Sequence, residues 1–372
     1  MRSRTLFRVG VVTCALLAAM NLLAGLSGGL ARLGWAVPAA AIGTHGAVMA
    51  CGFFGTLIAL ERAVALQRGW GLAAPLAAGA GGVAVWALGR PDLGALSWGL
   101  AALLLVALYG VAGITRAWSL HLRVELAAAI AWALGTMAWR QNDLTAATLG
   151  WMAFLVGTIA GERRELMQFV RLPDTAQRTF LAMMAIGGAA VLVVVKAPTD
   201  VAALAPLWLG PALWWLACAA LATWLLSWDI APRQWRREGW IGHTGVCLTV
   251  GYGWLLVGAV LGLLGLVRPA GAAAMAPHAV LLGFVFAMVF GHAPIMLPAL
   301  ARLRPRYTPW VRLPIWVLAA SLLLRLAALE TRSASLLAWA GAGHGLAIGL
   351  FAAIMFNAVW GGRNQGTGRI AR

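Results

Sequence analysis

Apolar runs of about 20 residues recur along this chain from end to end, each long enough to cross the ~30 Å hydrocarbon core of a bilayer. Twelve can be counted, at about 7–30, 36–60, 71–89, 93–115, 124–139, 145–161, 179–197, 201–228, 240–267, 275–300, 313–329 and 335–360. Inside a bilayer every backbone N–H and C=O must be paired within the protein, so a crossing segment is a helix or a strand of a closed barrel. Runs this long that do not alternate in polarity read as helices. The expected fold is all-α: one polytopic transmembrane domain over 1–372, a bundle of about twelve helices. The run at 124–139 is the shortest and has polar neighbours. With 62% hydrophobic and 10% charged residues, no stretch is left for a separate soluble domain.

The net charge of +17 would suit a nucleic-acid partner if it were gathered on one surface. It is instead sorted by loop. With the N-terminus placed in the cytoplasm, 21 Lys and Arg fall on the inner side and 6 on the outer, with Arg325 inside a run. That asymmetry follows the positive-inside rule and places both termini in the cytoplasm of a bacterial inner membrane, with lipid and not nucleic acid as the partner. The first run, with Asn21 and its glycines, reads as a span and not as a cleaved signal peptide. Cys14, Cys51, Cys218 and Cys247 are isolated within runs and read as small core residues. The absence of Cys-x-x-Cys-His excludes covalently attached c-type haem.

Histidine within hydrocarbon is costly and marks functional sites. Five of the six histidines fall inside apolar runs. His278 and His292 share one run, where an ideal helix would set them about 21 Å apart and within roughly 40° of one face. The topology puts His45 and His344 about 14 Å below the outer surface at ~1.5 Å per residue, with His278 somewhat shallower. These three are candidates for one metal centre in the outer half of the bilayer. His292, deeper, and His243, near the inner end of its run, form a second, inner cluster and are further candidate metal ligands. Neutral imidazole is the commonest metal ligand; three imidazoles suit copper, and two opposed ones suit haem iron. His121 falls in an inner loop and reads as solvated.

The inner ends carry carboxylates. Gly161-Glu-Arg-Arg-Glu165 mixes Glu162 and Glu165 with guanidiniums, and Glu61 adjoins Arg62. Spacing of i,i+3 and i,i+4 supports a paired, solvated helix end. The alternative reading makes Glu61, Glu162 and Glu165 the mouth of a proton path.

Three segments carry a resemblance. Gly251-Tyr-Gly-Trp-Leu-Leu-Val-Gly258, then His278-Ala-Val-Leu-Leu-Gly283 with Met288 and Gly291-His292, and His45-Gly-Ala-Val-Met49-Ala-Cys-Gly52-Phe53 are similar to patterns of the NnrS family. That family comprises twelve-span haem- and copper-containing membrane proteins. The chain departs from it at Ala47 and Val48, where the family pattern has histidine and glutamate, and His243 stands nine residues ahead of Tyr252. A more distant analogy is the catalytic subunit of haem–copper oxidases and nitric oxide reductases. The resemblance implies non-covalent b-type haem and/or copper, a role in nitric oxide metabolism or nitrosative stress, oxidoreductase chemistry, and a quinol or protein electron donor. The competing readings are a transporter of a metal or small solute, and a membrane anchor subunit.

Overall fold

The computed structural model describes residues 2–38, 41–195, 206–268, 271–301 and 305–368. Lys196, Arg302, Arg304, Arg369 and Arg372 of the charge count lie outside the described residues. Among the described residues there is no strand; the chain is a succession of helices. These are α1 Arg2–Arg32, α2 His45–Leu66, α3 Ala73–Trp86, α4 Pro91–Arg116, α5 Leu120–Arg140 and α6 Leu144–Leu166. The chain continues with α7 Asp174–Val194, α8 Leu209–Trp228, α9 Gly239–Val267, α10 Ala272–Pro298, α11 Leu313–Glu330 and α12 Ala334–Gly368. Eleven of them are long and apolar enough to cross a membrane.

The exception is α3. The run at 71–89 does not form one long helix. It opens as a 3-10 turn, Gly69–Leu72, continues as the 14-residue α3, and ends before Gly89, whose φ is +63°. Other boundaries also differ from the apolar runs. The run read as 36–60 becomes helical only at His45; Pro38 precedes it, and proline disfavours helix in the residue before it. The short run at 124–139 is instead the 21-residue α5, because Leu120 to Arg123 add a turn at its start. His121 is therefore a helix residue, not a loop residue. Turns are punctuated by backbone in the left-handed region, at Gln67, Ala117, Asn142 and Arg332. Asp143 caps α6, its carboxylate accepting from Ala146 N at 2.9 Å.

The helices gather into two compact units, residues 1–171 with 184–214, and 172–183 with 215–372. In the first, α5 and α6 approach through Gly135 and Gly150; a Cβ on Gly150 would stand 2.6 Å from the Gly135 Cα. Small residues at such crossings let backbones close without a hydrophobic driving force between helices. Trp132 then stacks on Phe154 with centroids 4.7 Å apart. Buried Asn21 of α1 ties in α3, donating to Gly79 O at 3.0 Å and accepting from Trp86 Nε1 at 3.1 Å.

In the second unit α9 and α10 form a seam of glycines. Gly251 meets Ala287 and Met288, Gly258 meets Val280, and Trp254 lies over Gly283, where a Cβ would come within 2.5 Å of the tryptophan. Thr244 Oγ1 closes one end of the seam by donating to Gly291 O at 2.9 Å. Much of the motif that carries the NnrS resemblance is thus the packing surface of this seam.

Both units contain the same local succession. A long helix is followed by a helix with a π-helical segment shortly after a histidine: Val48–Phe54 after His45, Ala279–Phe286 after His278. Next comes a 3-10 turn with a tryptophan, Gly69–Leu72 or Pro309–Arg312, then a helix, a left-handed turn residue (Gly89 or Arg332) and another helix. π-Helical turns inside α-helices are frequently found at functional sites.

Candidate functional site

The π segment corrects the geometry expected of α10. His278 and His292 flank eight residues whose hydrogen bonds run i→i+5, so the segment winds fewer degrees per residue than an α-helix. The alignment of the two rings on one face, computed for an ideal helix, therefore does not carry over. Each ring is anchored within its own helix: His278 Nδ1 lies 3.1 Å from Ala274 O, and His292 Nδ1 lies 3.0 Å from Met288 O. A carbonyl only accepts, so in the neutral ring Nδ1 carries the hydrogen and Nε2 the lone pair.

His344 is the most defined of the set. It is buried in α12, and its Nδ1 lies 2.7 Å from Ser321 Oγ of α11. Ser321 spends its own hydrogen on Leu318 O at 2.8 Å, so the hydroxyl accepts from Nδ1–H. Gly343 makes the approach possible, since a Cβ there would fall 2.7 Å from Ser321 Cβ. The remaining nitrogen, His344 Nε2, is buried with no hydrogen-bond partner among the described residues. Unpaired buried polar atoms are uncommon and call for an explanation.

His243 is arranged differently. Its Nε2 donates to Phe290 O at 2.9 Å, Cys247 Sγ lies within 3.8 Å, and Trp240 meets the ring edge-on at 5.8 Å. In the first unit, His45 Nδ1 faces Arg32 Nη1 at 3.3 Å and accepts from it. Among the described residues, no three or more His, Cys, Asp and Glu side chains gather in a group that could hold a metal ion. The four cysteines are free and buried, as small core residues.

The carboxylates do come together. Glu61, Glu162 and Glu165 surround Arg62 of α2, whose guanidinium lies 4.0 Å, 3.2 Å and 3.6 Å from them respectively. A fourth carboxylate, Glu125 of α5, is fully buried and lies 3.4 Å from the same guanidinium. Arg62 is itself only 15% exposed and sits over the ring of buried Tyr109 at 5.8 Å. The helix end is paired, as its spacing suggests, but around a largely buried guanidinium, with Glu165 the most exposed of the acids. Glu125 passes over Gly161, where a Cβ would strike its side chain, so the glycine ahead of the Glu-Arg-Arg-Glu run makes room for it. Sequence reasoning missed Glu125; the available signal was a lone acid just inside the run at 124–139. A cavity of about 280 Å³ adjoins the cluster, with Glu125 and Tyr109 at its buried end and Arg116, Ala117 and Gln168 at its exposed rim. His121 lines it too, 3.0 Å from Ser119 Oγ and 4.0 Å from Glu165.

Comparison with known proteins gives one family. A family model described as a domain of unknown function, DUF8744, matches residues 11–360. No curated protein and no solved structure matches the chain. The NnrS resemblance rests on its motifs alone. Since the matched region takes in all but the two ends, the chain belongs to the DUF8744 family.

Proposed function

We propose that this chain is a multi-pass protein of the bacterial inner membrane that holds haem iron or copper through histidine and serves nitric oxide metabolism or the response to nitrosative stress. The observation that carries this reading is His344, a buried imidazole with Nδ1–H fixed by Ser321 and Nε2 left without a partner. Metal-ligating histidines are oriented this way, with an outer partner on the second ring nitrogen. His278 and His292 carry their lone pair on Nε2 as well, which suits either metal. His344 is the assigned ligand, with His278 or His292 as the second imidazole. His243 has committed Nε2 to Phe290 O and serves packing.

When bound, haem iron or copper supplies one-electron chemistry. The chain's own contribution is to orient the ligands, exclude water, and admit a small neutral gas between apolar helices. A quinol or a donor protein supplies electrons. The test is haem and metal analysis of the full-length protein, purified in detergent from cells supplied with haem precursor, iron and copper. Near-stoichiometric haem or copper is expected; a preparation empty of both overturns the reading. The cavity beside Arg62 favours a second reading, transport of a metal or small solute. Uptake into vesicles by a metal-free protein would select it.

A further inference from the structure

We infer that the Arg62 cluster is an exchangeable proton-binding site, with the proton on Glu125 and the cavity as its route to the surface. Four carboxylates lie within 4.0 Å of one guanidinium, so ionising all of them would leave three negative charges uncompensated by Arg62. Burying an unpaired charge is expensive, and a carboxyl group avoids that cost by keeping its proton. Glu125 is the member to which this applies, because the others retain some exposure. Its Oε1 faces Arg62 at 3.4 Å, whereas its Oε2 is buried without a hydrogen-bond partner among the described residues. As a carboxylate it would present a bare anionic oxygen to the interior. As a carboxylic acid it presents an O–H donor.

A second observation, independent of the acids, places polar matter in the cavity. Tyr109 lines the same cavity, and its Oη is buried with no hydrogen-bond partner among the described residues. Two orphaned polar groups, from α4 and α5, thus belong to residues that line one cavity large enough for several water molecules. A small rotation of either side chain brings cavity water against its polar atom, and that water accepts the proton. The O–H bond of Glu125 breaks with its electron pair staying on Oε2, a cavity water becomes hydronium, and the proton passes outward past His121 and Glu165 at the rim. Uptake is the reverse. The charged groups facing Glu125 are Arg62 and Glu61 from α2, Glu162 and Glu165 from α6, and His121 from its own helix. Arg116 of α4 stands at the rim, its Nη2 donating to Ala65 O at 3.1 Å, and Arg164 of α6 acts on His121 at longer range. The inference is independent of any metal at the histidines.

Infrared spectroscopy of the full-length protein in lipid vesicles reads the proton directly. At neutral pH the wild type is expected to show a protonated-carboxyl C=O band that shifts in D₂O and is lost in Glu125→Gln. Tyr109→Phe should keep the band but move its frequency and slow its exchange. A wild type without the band overturns the inference, as does a band unchanged in Glu125→Gln. If Glu125→Gln fails to accumulate, a band unmoved in Tyr109→Phe is the contradicting result.

Discussion

At the scale of single residues, hydrogen-bond direction decides more than position does. His344 and His243 are both buried imidazoles, but one has Nε2 open and the other has given it to a carbonyl. Ser321 makes that difference, so Ser321→Ala removes the acceptor of Nδ1–H without touching the ligand nitrogen. Loss of such an outer partner typically weakens metal affinity about 10–100-fold. Titrating the stripped protein with haem or Cu²⁺ checks this; an unchanged affinity would show that Ser321 does not orient a ligand. Arg62 offers a second test. Arg62→Met leaves the ionised acids around it, Glu162 first, without their cation, and breaking a fully buried pair from one side costs about 3–5 kcal/mol, an upper bound for the partly exposed Glu162. A clear fall in the thermal midpoint in detergent is expected, with partial recovery when Glu162→Gln is added. A midpoint equal to wild type would mean that the cluster is solvated.

At the scale of elements, the glycine seams hold the helices together. Gly283→Val puts a branched side chain into Trp254, and overpacking of a close interface costs about 1–3 kcal/mol or more. The variant should melt lower than Gly253→Val, since a Cβ at Gly253 meets nothing within 4 Å. Equal melting of the two would contradict the seam. These elements also show what the sequence makes legible. Apolar runs locate most of the helices, because burying backbone in an apolar medium forces helix wherever the run is long enough. The π segments of α2 and α10 escape such a reading, since the change from i→i+4 to i→i+5 hydrogen bonding leaves no trace in composition. So does the Arg62 cluster. Glu125 is 63 residues from Arg62 and Glu162 is 100, and only packing of separate helices brings them together. Glu162 and Glu165 looked like a surface pair because their local i,i+3 spacing is that of a solvated helix end.

At the scale of the whole molecule, α3 decides the topology. Its 14 residues span about 21 Å as α-helix, and the four residues of the preceding 3-10 turn add about 8 Å, which together match a ~30 Å core. On that arithmetic α3 is long enough for a twelfth crossing, and the topology proposed from the charge asymmetry would keep both termini on the cytoplasmic side. Reporter fusions at residues 68 and 363 are expected to report cytoplasm and one at residue 90 the outside; the same side for residues 68 and 90 would remove α3 as a crossing. The central claim concerns what the second unit holds, and the most direct measurement is the absorption spectrum and metal content of purified wild type against His344→Ala. The wild type should carry haem or copper with its characteristic bands, and His344→Ala should insert normally but lose most of that occupancy. Equal occupancy and an unaltered spectrum in His344→Ala would contradict the account.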